Sequence, residues 1–290
     1  MASNAGSRNP FALSAASPRS SSQKVLANVS LGVIGLAFVI PLGWLVLASF
    51  DRSASLSAKL PEPFTLHNYS AVATGTIAGI PMINSAVLST ISAVVTVVVA
   101  ILAAYPLSRY RMRYNKAFLY GVLFGTCLPI TAMMVPVYSL FVRLNLLDSI
   151  GGTGLFLAAT QLPMAIFMTK NFMDSVPISL EEAAWVDGAS AMQALRAIVV
   201  PLMRPGIAVV FIFNFVGSWG NFFVPFILLL SPEKQPASVS IFTFFGQYGA
   251  VAYGQLAAFS ILYSLPVLFL YVLVQRFIGG SFLMSGAVKG

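Results

Sequence analysis

Charge is what this sequence has least of. Only 8% of its 290 residues are Asp, Glu, Lys or Arg, against about a quarter in an ordinary globular chain. With 58% hydrophobic residues and a mean hydropathy of +0.88, that scarcity excludes a soluble domain. The single cysteine, Cys127, lies in an apolar run and excludes a disulfide framework or a thiolate metal cluster. The single histidine, His67, stands in a polar loop, and a histidine metal site needs more partners than that. No G-x4-G-K-[ST] phosphate loop occurs. Neither paired carboxylates nor a Ser-His-Asp set can be placed together, so the chain is expected to hydrolyse nothing itself. No Asp, Glu or His falls deep in an apolar run, which weighs against a proton relay.

What is abundant is apolar length. Crossing about 30 Å of hydrocarbon takes roughly 20 residues, and six runs reach that scale: 28–50, 80–107, 117–142, 151–172, 206–230 and 256–277. The fold class expected is an all-α integral membrane bundle of six transmembrane helices. Residues 1–24 are Ser-rich, with Arg8 and Arg19 and no acid. They cannot bury enough apolar surface to order themselves, so the division is a disordered tail, 1–24, and a membrane domain, 25–290. Six spans put both termini on one side of the membrane. With the N-terminus inside, only Arg52, Lys59, Arg143 and Lys234 of the 16 Lys and Arg lie outside. The inside keeps the cluster Arg109, Arg111, Arg113 and Lys116. Basic residues near span ends set orientation, so both termini are expected in the cytoplasm. The net charge of +8 thus belongs to membrane flanks rather than to a nucleic-acid surface. Pro41, Pro129, Pro136, Pro163, Pro225 and Pro266 fall inside the runs, where each removes a backbone hydrogen bond.

Between the fourth and fifth runs lies a polar loop, 174–205, with helix signals of its own. Ser179-Leu-Glu-Glu182 has the spacing of a capping box, and Gly188 suits the left-handed residue that ends a helix. Ser190-Ala-Met-Gln193 repeats the box spacing at once. The loop therefore predicts helix, glycine hinge, helix on the cytoplasmic face. Ala183 and Ala184 permit close approach of another protein, Met192 and Leu195 offer an apolar knob, and Glu181, Glu182 and Asp187 offer charge. Periodicity alone leaves an ordinary surface helix pair equally open.

A second polar face lies in the fifth run. Asn214, Ser218 and Asn221 are related by i, i+4 and i+7, which puts them on one side of a continuous helix. Amides can donate to and accept from the hydroxyls of a polar substrate, and Trp219 offers an aromatic face for stacking. Gln161 and Asn84 are further candidates for a substrate path. Small and amide residues also glue spans together, so helix packing stays open. Lys170 and Asp174, four apart at the end of the fourth run, can pair.

The loop pattern E-A-A-x3-G-x9-I-x-V-P, from Glu182 through Gly188 and Ile198 to Pro201, resembles the EAA loop of ABC-importer permease subunits. Ile83-Asn-Ser-Ala-Val, Ala103-Ala-Tyr-Pro-Leu-Ser-Arg109, Val135-Pro-Val-Tyr and Leu146-Leu-Asp-Ser look like binding-protein-dependent sugar permeases of the maltose-permease type. So do Gln275-Arg-Phe and the tail Gly286-Ala-Val-Lys-Gly290, and nearly the whole chain follows that layout. The resemblance implies a six-span permease bundle with cytoplasmic coupling (EAA) helices. It implies a second permease subunit and two ATP-binding subunits that bind the ATP and Mg, leaving no cofactor on this chain. It also implies an extracytoplasmic solute-binding protein that delivers a sugar. The rival classes are an ion-coupled secondary transporter or channel, acting alone or as a homo-oligomer, and a membrane scaffold.

Overall fold

The computed structural model describes residues 21–57, 59–110, 113–246 and 251–286, with side chains between 24 and 275. The expected tail up to residue 20, Arg111 and the last residues of the Gly286–Gly290 motif lie outside the described residues. Among the described residues the architecture is helical, with one isolated antiparallel bridge, Phe245 to Val251. Four helices are long and apolar enough to cross a membrane: Lys24–Ser49 (span 1), Gly75–Arg109 (span 2), Ile150–Asp174 (span 4) and Tyr253–Gln275 (span 6). Counting each of two bent helix pairs as one span brings the number to six.

The first bent pair departs from the straight span that hydropathy suggests. Span 3 is Asn115–Cys127 and Ile130–Arg143, which meet at 90°. Pro129 stands at the corner in an extended conformation, and so does Leu128 before it. A residue preceding proline is pushed out of the helical region, so the break falls where the chain chemistry demands it. The second bent pair joins Ala191–Leu202, in the polar loop, to Arg204–Trp219 (span 5) at 80°, and the fifth apolar run itself divides into span 5 and the short helix Phe223–Leu228. At 1.5 Å per residue, span 5 is about 24 Å long, too short to cross alone. Gly220 to Phe222 form the break between the two.

Span 2 is the spine of the bundle, packing along span 4 and against span 5, while span 1 lies against span 6. Two glycines set these approaches. A Cβ on Gly206 would stand 2.5 Å from Phe172 Cγ and 2.9 Å from Phe172 Cβ, so spans 4 and 5 are in backbone-to-ring contact there. Gly206→Ala is expected to destabilise the chain by about 1–3 kcal/mol, the usual cost of overpacking, read as a lowered thermal midpoint in detergent. A Cβ on Gly254 would meet Asn68 Nδ2 at 2.5 Å and the Asp51 carbonyl at 2.7 Å. That side-chain amide ties the end of span 1 to the start of span 6, donating to the Ser49 and Asp51 carbonyls.

At the end of the bundle opposite Arg109, Asp148 gathers the connection after span 5. Its Oδ1 accepts from the Leu230 and Ser231 amides, and its Oδ2 accepts from Ser231 Oγ and from Lys234 Nζ at 2.9 Å. Lys234 first, and then Ser231, hold the Asp148 carboxyl well below the usual carboxylate range. A carboxyl depressed in the folded state contributes stability above its unfolded pKa of about 3.9. That contribution is lost as pH falls through the lower folded value. The thermal midpoint of wild type is therefore expected to exceed that of Asp148→Asn at pH 6. The difference should shrink below about pH 4, in a melting series against pH.

Candidate functional site

The loop 174–205 folds as two short helices rooted in the bundle. The first, Ser179–Val186, ends at Asp187, and Gly188 follows at φ +88°. The Ala189 amide reaches back to the Ala184 carbonyl (2.9 Å) and the Gly188 amide to Trp185 (3.0 Å). This pair of bonds is the Schellman closure that a left-handed glycine permits. Ser190 then caps the second helix, with Gln193 Oε1 accepting from the Ser190 amide (2.7 Å) and Ser190 Oγ accepting from the Gln193 amide (3.3 Å). The second helix runs Ala191–Leu202 through a π-helical turn, Leu195–Val199, and meets span 5 at 80°. It thus carries past Pro201, which directly follows the π-helical turn, where the Val200 amide bonds to the Leu195 carbonyl.

The first capping box does not form. Ile178, not Ser179, precedes the helix, and it has near-helical dihedrals (φ −64°, ψ −27°) without a side-chain cap. The Glu181 and Glu182 amides bond to the Ile178 carbonyl instead. Because that turn begins one residue early, the Ser179 hydroxyl has no free first-turn donor to serve.

Glu181 is the larger correction. Expected to face an outside partner, it is fully buried. Arg109 Nε donates to its Oε1 at 2.6 Å and Tyr105 Oη to its Oε2 at 3.0 Å. The remaining guanidinium nitrogens reach the Val176 carbonyl (Nη2, 3.2 Å) and Ser108 Oγ (Nη1, 3.2 Å). Ser108 in turn donates to Asp174, which pairs with Lys170 as its spacing suggests. A buried ion pair needs further hydrogen bonds around it, and here each guanidinium nitrogen and each carboxylate oxygen has one. Leu195 is likewise not a knob: it packs inward with Tyr105, Met173, Val176, Val199 and Met203. Ile198 and Pro201 are half-buried.

What the helix pair does present outward is Glu182, Ala183, Val186, Asp187, Gly188 and Met192, with Ala184 half-buried beside them. Val186 is 88% exposed, and Ile178 and Leu180 are bare as well. The apolar exposure of Val186 escaped the motif reading, although its place between the two alanines and the glycine marks it as part of the same face.

The substrate-path candidates separate into two groups. Asn214, Ser218 and Trp219 are buried inside the chain. Asn214 Nδ2 bonds to the Val210 carbonyl of its own helix. Trp219 stacks between Phe215 and Tyr263 (5.7 and 5.4 Å) and donates Nε1 to the Tyr263 carbonyl. A tryptophan so enclosed has no face for a sugar. Asn221 does not share their helix face, because the helix ends at Trp219. Its Oδ1 accepts instead from the Val224 amide, at the head of the short helix. Asn84 is also structural, donating to the Glu233 and Gln235 carbonyls. Gln161 and Asn221, by contrast, line an open groove of about 550 Å³ with Thr160, Phe213, Val216 and Gly217. Gln161 Nε2 also bridges the buried Ser92 of span 2 and Ser218 of span 5 (3.1 and 2.8 Å).

Comparison with known proteins agrees with this architecture. Residues 96–280 match the family described as binding-protein-dependent transport system inner membrane component. An inner membrane ABC transporter permease protein of Escherichia coli, YcjP, is 33% identical over 239 residues, covering 80% of this chain and 82% of its own. The diacetylchitobiose uptake system permease DasC of Streptomyces coelicolor is 27% identical, covering 92% and 98%. Among solved structures, a chain of a bacterial ABC transporter that imports the acidic polysaccharide alginate superposes with a TM-score of 0.76. It is 22% identical, with 90% of this chain and 99% of that one covered.

Proposed function

The chain belongs to the binding-protein-dependent transport system inner membrane components, and from that membership we propose that it is a permease subunit for carbohydrate uptake. In this reading it pairs with a second permease and with two ATP-binding subunits, and an extracytoplasmic binding protein delivers the sugar. The observation that carries the docking assignment is the exposed helix, glycine and helix at 179–202. It is rooted in the bundle and leaves Glu182, Val186, Gly188 and Met192 exposed. A polar loop inside so apolar a chain has no reason to spend two caps on a rigid, outward face unless another protein holds it. Sugar as the substrate class is supported by the uptake of diacetylchitobiose named for DasC. It is supported also by the groove, where Gln161, Thr160 and Asn221 set amide and hydroxyl groups among apolar side chains. The orientation with both termini in the cytoplasm follows from the basic flanks, and it puts the docking face on the side where ATP is. The division into a tail, 1–24, and a membrane domain, 25–290, belongs to the same reading.

The test is genetic and biochemical together. Deleting this chain from its host is expected to abolish uptake of one labelled di- or oligosaccharide in a panel, and plasmid-borne chain should restore it. Tagged chain extracted in mild detergent should bring down a second permease and a phosphate-loop ATPase. Unchanged uptake of every sugar would sink the carbohydrate assignment, and a chain that purifies alone would sink the importer.

A further inference from the structure

The buried pair Arg109 and Glu181 is not among the residues lining the groove at Gln161 and Asn221, and both side chains are turned away from the exposed face of the loop helices. Its two partners are 72 residues apart, at the end of span 2 and on the first helix of the docking pair. The side chains are 4% and 0% exposed. All three guanidinium nitrogens are engaged, and the carboxylate receives a second donor from Tyr105, one turn back on span 2. Around it the same apolar cluster joins span 2, the end of span 4 and the second docking helix. A purely apolar contact would hold these elements together, yet it would let them slide and rotate. A bidirectional set of charged hydrogen bonds fixes one register, since every alternative leaves a buried charge unserved.

We propose that the Arg109–Glu181 pair is a positioning device that locks the docking helices to span 2, so that the two move as one rigid body. A push received at Val186 and Met192 then reaches span 2 undiminished, and span 2 packs directly on spans 4 and 5. The consequence for transport rests on the importer reading; the lock itself does not.

A distance measurement tests it. Nitroxide labels go on Ala197→Cys, exposed on the second docking helix outside the proposed docking set, and on Val87→Cys, partly exposed on span 2, in a Cys127→Ser background because Cys127 is exposed. The helix between Val87 and Arg109 rises about 33 Å, which suits electron–electron double resonance. In the assembled complex, wild type should give one narrow distribution, the same with and without ATP and vanadate. The single variant Glu181→Gln strands a buried cation, so its loss of fold would say little. The decisive variant is Arg109→Met/Glu181→Leu, which replaces the pair by apolar bulk, an exchange that buried pairs generally tolerate.

That double variant should reach the membrane at the wild-type level with a distinctly broadened distribution. Its uptake per molecule should be about tenfold lower, an ordinary size for coupling between sites. A distribution as narrow as wild type would overturn the proposal, and so would a wild-type distribution that shifts with ATP. A double variant absent from the membrane would count against it too, because the pair would then be a folding requirement. Failure of the importer reading looks different: wild type itself would transport no sugar, while the distances would stand.

Discussion

A chain carrying Gly188→Asp is expected to reach the membrane at the wild-type level and to transport nothing. Gly188 has φ +88°, and a Cβ built there meets no atom of this chain within 4 Å. The cost within the chain is therefore backbone strain alone, about 1–2 kcal/mol for a residue held left-handed. Spread over a helical membrane bundle, that does not prevent insertion. The effect on transport is expected from outside the chain, since Gly188 lies between Asp187 and Met192 on the exposed face that we propose docks a partner. A carboxylate added there fills the space a partner must enter and adds to the charge of Glu182 and Asp187. Gly188→Asn separates the two causes, because asparagine tolerates the left-handed region and carries no charge. It should retain more uptake than Gly188→Asp at equal membrane level. Glu182→Lys, exposed on the same face, should also abolish uptake. Immunoblots of membranes beside uptake rates decide the matter: normal transport by both Gly188→Asp and Glu182→Lys would remove the docking role.

Local chemistry made part of this site readable in advance. Gly188 and the Ser190–Gln193 box depend on residues within a few positions of each other, and both form as the spacing suggests. The Ser179 box failed on an equally local detail, the near-helical conformation of Ile178. Glu181 could not be read at all. It and Glu182 are adjacent and chemically the same, and successive helical residues point about 100° apart. Which of them turns inward depends on Arg109, far away in the chain and joined only by the fold. The spans show a similar limit. Hydropathy located every apolar run, and Pro129 marked a weak point. A window average does not register that span 3 turns through 90° there, or that the fifth run breaks after Trp219. The break removed Asn221 from the helix face that the i, i+4, i+7 relation had given it. It also turned a supposed four-residue sugar face into a buried packing seam and a separate groove wall.

That separation predicts opposite consequences for neighbouring substitutions. Trp219→Ala should act on stability. Its ring is 3% exposed and stacks on Tyr263, which donates its hydroxyl back to the Trp219 carbonyl. The pair thereby joins span 5 to span 6. Emptying such a site costs about 3–5 kcal/mol, and within a bilayer, packing of this kind is what drives helix association. The membrane level and the thermal midpoint should both fall, while whatever protein remains should take up the same sugars with the same half-saturation concentration. Asn221→Ala should do the reverse. Losing its contact with the Val224 amide removes one cap, worth about 1 kcal/mol, so the chain stays folded. Losing an amide from the groove should raise the half-saturation concentration about three- to tenfold, the worth of one hydrogen bond. Uptake against sugar concentration, normalised to membrane level, distinguishes the two. A Trp219→Ala chain of normal stability and altered sugar preference would return the tryptophan to the substrate path. An Asn221→Ala chain with unchanged half-saturation would remove the asparagine from it.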